Sequence, residues 1–420
     1  MPSLITSEAT NQPVVIVGAG LTGLACARRL NEANVPALVL EAQDHVGGRV
    51  RTDRVDGFLL DRGFQVFLTA YPEAERVLDY KALALRPFYP GALVQLGGRR
   101  YRFADPWRRP LASLTGLLAP VASLLDAVRI ARLRAEALRL GDPDIAAGST
   151  STQDYLRQSG LSERVIERFF RPFFGGVFLE RALTTPSSFF RFAFAMFARG
   201  SAALPAEGMQ AIPQQLASGL PPGTVRLNTR VRSVEPGCVR LVSGERVECR
   251  AVVVATDADS ARQLLPGLPP VAWHSTTTIY YSARRSPVRE GILVLNGTGQ
   301  GLVNHVCVAS DVSERYAPAG AALVSVSIIG VLDLDDHDLS RRVTQELREW
   351  FGESVAGWNL LRIYRIERAL PVLTQGASSS AREPIHDGVL LCGDYLEDPS
   401  INGALLSGRN AAEAVLSARA

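Results

Sequence analysis

Glycines at 18, 20 and 23 of VVIVGAGLTGL stand in a GxGxxG array directly behind four apolar residues. Each does a different job: Gly18 permits a tight turn, Gly20 lets main chain approach a pyrophosphate, and Gly23 lets a helix pack closely on the strand. Ala25, Ala27 and Leu30 continue at helical spacing, so Leu21 and Thr22 open a helix whose free N–H groups and partial positive charge face the phosphates. A second apolar run, PALVLEA, closes on Glu41 and Ala42. An acid about 20 residues beyond such a turn is placed to hold a ribose diol. Strand, glycine turn, helix, strand and acid in this order imply a dinucleotide site.

The stretch after the acid, EAQDHVGGRVRT, narrows the ligand. Gly47 and Gly48 offer bare main chain, and Arg49 offers a planar fork of donors to phosphate oxygens. A nicotinamide needs nothing special here, whereas a flavin is larger, stays bound and must be gripped over a longer path. GFLLDRGFQVF at 57–67 brings Asp61, Gly63 and Phe64 toward the same cleft. Near the C-terminus, GVLLCGDYLEDPSINGALLSGRNAAEAVL again reads strand, turn and helix: Val389 to Cys392, then Gly393 and Asp394, then a small-residue helix from Gly403 carrying Ala404, Ser407, Ala411 and Ala412. A helix N-terminus at that place offers free N–H groups and positive dipole to an anionic ligand.

GAGLTGL, VGGRVRT and DRGF, extended by PAEGMQAIPQQLA at 205–217 and LLCGDYLEDPSINGALLSGRNAA at 390–412, resemble the FAD-dependent amine oxidase superfamily over the whole chain. That group includes monoamine and polyamine oxidases, protoporphyrinogen oxidase and phytoene desaturases. The resemblance implies an α/β fold with a Rossmann-like (GR2-type) FAD-binding domain assembled from 1–70, 205–260 and 385–420. It further implies an α+β substrate-binding domain from 71–204 and 261–384, with 107–200 mostly helical. By the same resemblance Asp394 meets the pyrophosphate–ribityl region, the Ile401–Asn402–Gly403 main chain lies at the flavin pyrimidine ring, and Ser400 and Ala404 bind the cofactor beside it. Val231, in RLNTRVRSVEPG, offers its main chain to the adenine edge. FAD is expected to be non-covalent, because TQGASSSAR at 374–382 has no cysteine where covalent relatives place one.

Two departures bear on the reaction. Amine oxidases of this group usually carry a lysine at the flavin, yet WHSTTTIYYSA at 273–283 has none, and Lys81, the sole lysine, is far away in sequence. Ser400 stands where those oxidases often place a tyrosine. The terminal block is similar to that of the carotenoid desaturases, so the expected reaction is removal of hydrogen, as hydride to flavin N5, from a hydrophobic polyene, terpenoid or tetrapyrrole-like substrate. This needs alignment in a dry cleft more than acid–base groups. A quinone or oxygen would reoxidise the flavin. Tyr395, Gln65 and, behind them, Arg62 are the candidates for shaping the site. An amine oxidase releasing hydrogen peroxide and a non-redox or isomerising flavoprotein are the alternatives.

Elements must position these residues. A chain of 420 residues exceeds one ordinary core, so two domains are expected. Ten of the sixteen phenylalanines fall between 169 and 197, which suits a long apolar tunnel as well as core. Val121, Leu124, Leu125, Val128, Ala131, Ala135 and Leu138 recur at helical spacing opposite Arg129, Arg132, Arg134 and Arg139, with WRRP at 107–110 just ahead. A core-facing helix with a solvated basic face is the preferred reading, and attachment at an anionic membrane surface is the alternative.

Other classes are disfavoured. A net charge of +3 gives no global field for nucleic acid. Five cysteines without CxxC spacing and five scattered histidines suggest free thiols and no metal site. The N-terminus MPSLITSEATNQP lacks a secretory pattern, and LASLTGLLAPVASLL at 111–125 is too short to span a bilayer. A cytoplasmic protein, soluble or peripheral at a membrane surface, is expected.

Overall fold

The computed structural model describes residues 12–112, 119–139, 150–374 and 384–418. The cysteine-free segment used to argue against covalent flavin lies, beyond Thr374, outside these residues, as does most of the N-terminal stretch.

Val14–Val17 is the third strand of a six-stranded sheet ordered Val225–Arg226, Ala37–Leu40, Val14–Val17, Ala251–Val254, Val389–Leu391, Ile385–His386. The first five run parallel and the last antiparallel. Val14 and Ile16 belong to one apolar cluster and Val15 and Val17 to another, so both faces are covered. That is why the strand reads as an unbroken valine–isoleucine run. Gly18 ends it, its N–H donating to the Leu40 carbonyl at 2.8 Å.

The helices Leu21–Glu32 and Ile401–Ser417 pack against each other at the head of this sheet. A Cβ on Gly408 would lie 2.1 Å from the Thr22 carbonyl oxygen, which explains the small residues of the C-terminal helix. That helix begins at Ile401, two residues ahead of the expected start, because the Ser400 hydroxyl caps it by accepting from Gly403 N at 3.1 Å.

A seven-stranded mixed sheet, ordered Asn359–Pro371, Trp273–Ala283, Ala322–Ile329, His305–Val308, Leu293–Asn296, Gly91–Leu96, Arg99–Ala104, lies alongside. The helix Asp336–Phe351 covers it with Leu339, Val343, Leu347 and Trp350. Helix Arg171–Phe178 packs on this sheet and Leu124–Arg139 packs on Ser187–Arg199, and one apolar cluster runs from Val14 through Phe67 to Phe170 and Phe190.

Leu124–Arg139 corrects the sequence expectation. Its long apolar stripe faces outward: Leu124 is 68% exposed, Leu125 55%, Val128 51% and Leu138 44%. The inward face is Asp126, Ile130, Leu133 and Ala137. Asp126 sets the rotation, since its buried carboxylate accepts from Ser123 N and Oγ at 2.9 and 2.6 Å and from Ser162 N and Oγ at 2.8 and 2.7 Å. Turning the stripe inward would expose the leucine-and-alanine face and break four hydrogen bonds to a charged group, the stronger kind. Among the described residues no helix is long and apolar enough to cross a membrane.

Candidate active site

One cavity of about 1450 Å³ runs from the glycine turns to the phenylalanine helices, larger than the ~300–1,000 Å³ of ordinary ligand sites. Gly18, Gly20, Leu21, Thr22, Glu41, Ala42, Gly47, Gly48, Arg49, Gly63, Phe64, Gln65, Val231, Gly393, Asp394, Ser400, Ile401 and Ala404 lie along its wall. Residues expected from both ends of the chain therefore meet in one place.

Five others stand behind the wall, among them Gly403, where a Cβ would lie 2.1 Å from the Asp398 carbonyl oxygen. Gly23 serves packing, because a Cβ there would sit 2.0 Å from the Gly18 carbonyl oxygen. The Asn402 side chain faces inward, accepting from Glu73 N at 3.1 Å. Tyr395 is buried, its ring against Gly393. Asp61, expected in the cleft, points into the core instead and accepts from Thr52 Oγ1, Met209 N and the Tyr316 hydroxyl at 2.6, 3.0 and 2.9 Å. Burial raises its carboxyl to about 6. Gln65 reaches the wall but spends its amide on the Arg49 and Arg62 carbonyls, at 2.9 and 3.2 Å.

At the glycine end, Gly20 and Gly47 pair as an isolated parallel bridge, and Gly47 N donates to the Ala19 carbonyl at 2.8 Å. A Cβ on Gly20 would meet no protein atom within 4 Å, so the space it would fill is cavity. Glu41 is held by two main-chain donors, Ala19 N to Oε2 at 2.7 Å and Gln43 N to Oε1 at 2.9 Å. Arg49 Nη2 donates to Asp394 Oδ1 at 2.6 Å and Nη1 to the Ala369 carbonyl at 3.0 Å, so its fork ties the two halves of the site together. Beyond Asp394, the Ile401–Ser417 N-terminus opens on the same wall. Bare main chain at a helix N-terminus, an oriented acid and a second helix N-terminus together fit the diphosphate, ribose and ring of a flavin dinucleotide.

Asp398, just ahead of that second helix, is 1% exposed and takes a hydrogen bond from Ser400 Oγ. Burial first, then the charges of Glu397 and Asp394, raise its carboxyl to about 7.

The far end is aromatic. Phe169, Phe170, Phe173, Phe174, Phe189, Phe192, Phe194 and Phe197 line it, eight of the ten phenylalanines clustered there in sequence. Thr276 reaches it from Trp273–Ala283, the strand without a lysine, and Lys81 is exposed elsewhere. His305 also lines the wall. Burial lowers its imidazole to about 4, so it is neutral at physiological pH, with Asn304 Nδ2 3.1 Å from its Nδ1.

His305 and Asp257 are wall residues absent from the sequence reading, and Trp107 and Arg134, read there only as part of a basic helix face and the segment ahead of it, line the wall as well. For Asp257 a signal existed: it directly follows AVVVAT and caps the helix Ala258–Leu264 through Asp259 N and Ser260 N. His305 reaches the cavity through tertiary packing and sits in no local motif, while the helical spacing around Arg134 did not say which side meets the cavity.

The pattern of the family "Flavin containing amine oxidoreductase" matches residues 21–416. The chain is 32% identical over 182 residues to coproporphyrinogen III oxidase of Propionibacterium freudenreichii subsp. freudenreichii, a match covering 41% of this chain and 32% of that protein. It is 23% identical over 469 aligned residues to the chloroplastic/chromoplastic 15-cis-phytoene desaturase of Glycine max, covering 96% of this chain and 79% of that one. A putrescine oxidase structure superposes with a TM-score of 0.76 at 17% identity, covering 97% of this chain and 99% of the other, which is a likeness of fold.

Proposed function

Because the chain belongs to the flavin containing amine oxidoreductase family, we propose that it works as a desaturase-like member, taking hydrogen from an apolar polyene, terpenoid or tetrapyrrole-like substrate. The protein is an FAD-dependent oxidoreductase. One observation carries the finer reading: the cavity continues from the glycine turns into a wall of eight phenylalanines, with no lysine along it.

Bound FAD supplies a hydride acceptor, and the chain's own residues do the rest. Gly20, Gly48 and the first turn of Leu21–Glu32 would present main chain to the FAD diphosphate, and Glu41 would hold the ribose. Arg49 and Asp394 fasten the Gly47–Gly48 turn to the C-terminal turn, and the Ile401–Ser417 N-terminus places positive dipole where charge develops. The phenylalanines exclude water and hold a long apolar body in line, supplying orientation in place of acid–base groups. A quinone or oxygen takes the electrons onward.

Peripheral attachment to an anionic membrane surface goes with this reading. Trp107 and Leu111 are 48% and 81% exposed, and so exposed too are the large apolar residues of the outward stripe of Leu124–Arg139, which the exposed Arg132 and Arg139 flank.

Anaerobic titration of the yellow holoprotein tests the reaction by flavin bleaching. Bleaching by a polyene or a reduced tetrapyrrole is expected. Bleaching by a primary or secondary amine, with peroxide on admission of air, would instead establish an amine oxidase, and no bleaching by any class would favour the isomerising alternative.

A further inference from the structure

We infer that Arg134, stacked on Trp107 at the aromatic end of the cavity, is a carboxylate-reading group, so that the substrate is an apolar molecule bearing at least one acidic arm. The inference rests on the apolar-substrate reading and adds a polar requirement to it. Arg134 is half-buried and lines the cavity, and its guanidinium lies 4.7 Å over the Trp107 ring.

Its neighbours are already engaged. Arg108 Nη2 donates to the Phe197, Ala198 and Gly200 carbonyls at 3.2, 3.2 and 2.6 Å. Asp105 accepts from Trp107 N at 2.9 Å and lies 3.6 Å from Arg108. Glu136 pairs with Arg191 at 3.5 Å. Among the described residues Arg134 has its stack on Trp107 and no hydrogen bond or ion pair.

The stack fixes the guanidinium plane and leaves its N–H edges uncommitted, the geometry that accepts a carboxylate on two parallel donors. Arg132 and Arg139 on the same helix are exposed, so they can meet solvent or lipid while Arg134 faces the cavity. An acid at this point keeps its charge at the rim and its apolar body among the phenylalanines.

Decanoate and decan-1-ol share an apolar chain and differ in the acid, so they are the probes, read on the holoprotein by calorimetry and by the flavin difference spectrum. We expect decanoate to bind about ten- to a hundred-fold more tightly, the worth of a hydrogen-bonded charge. Arg134→Gln should bring the two affinities level while leaving that for decan-1-ol unchanged, and Arg134→Lys should keep part of the preference. Trp107→Leu, which removes the stack while keeping an apolar side chain on the wall, should weaken the preference if Arg134→Gln fails to fold. Binding to phosphatidylglycerol vesicles should not change in Arg134→Gln. Equal binding of acid and alcohol by the wild type, or an unaltered preference in both Arg134→Gln and Trp107→Leu, overturns the inference. Loss of vesicle binding with the preference intact also overturns it and assigns Arg134 to lipid headgroups. These readouts need no turnover, so they can fail while the redox reading stands, and flavin bleaching can fail while they hold.

Discussion

Asp398 is a carboxyl that folding holds in an unfavourable place. Its folded value of about 7 exceeds the ~3.9 of an unfolded aspartate, so its ionisation opposes folding. Stability from its neutral form is complete below about pH 4 and drains away as pH rises through about 7. Asp398→Asn should therefore flatten the fall in stability between about pH 4 and pH 8, by up to about 4 kcal/mol, measured as urea midpoints of the holoprotein. A variant that follows the wild-type curve would place the titration elsewhere. The contrast with Glu41 shows what was legible at this scale. Glu41 announces itself by its distance from GxGxxG and its place at a strand end. Asp394 and Glu397 stand beside Asp398 in the sequence, but its burial, with the distant Tyr71 close to it, comes from tertiary packing that no local spacing records.

At the scale of elements, both nucleotide turns were readable because strand, glycine and helix follow one another within a few residues. The rotation of Leu124–Arg139 was not. Periodicity defines a stripe but does not say which side meets the core, and here the serine hydrogen bonds to Asp126 decided it. The close contact of the first and last helices was legible only as small residues. The structure gives the reason at Gly408, where an added methyl would meet the Thr22 carbonyl and stand 3.0 Å from Ala25 Cβ. Gly408→Ala should cost about 1–3 kcal/mol, the range for overpacking, and lower the melting temperature of the apoprotein as well as the holoprotein. An unchanged melt would mean that the two helices are not in contact.

For the whole molecule, the parallel sheet draws its strands from 14–40, 225–254 and 385–391, and the cavity joins them to helices at 124–139 and 171–199. The phenylalanine density hinted at the tunnel. Its union with the flavin site came through long-range packing, as in the tie of Arg49 to Asp394 across 345 residues. FAD content is the most direct measure of this union, with wild type beside Gly20→Val. Gly20 has φ −69° and ψ 177°, which valine adopts freely, and its open side is the cavity itself. We predict one FAD per wild-type chain, released on denaturation, and a Gly20→Val protein that is folded but colourless. A wild type that stays colourless after incubation with FAD, or a Gly20→Val that is as yellow as the wild type, would contradict the account.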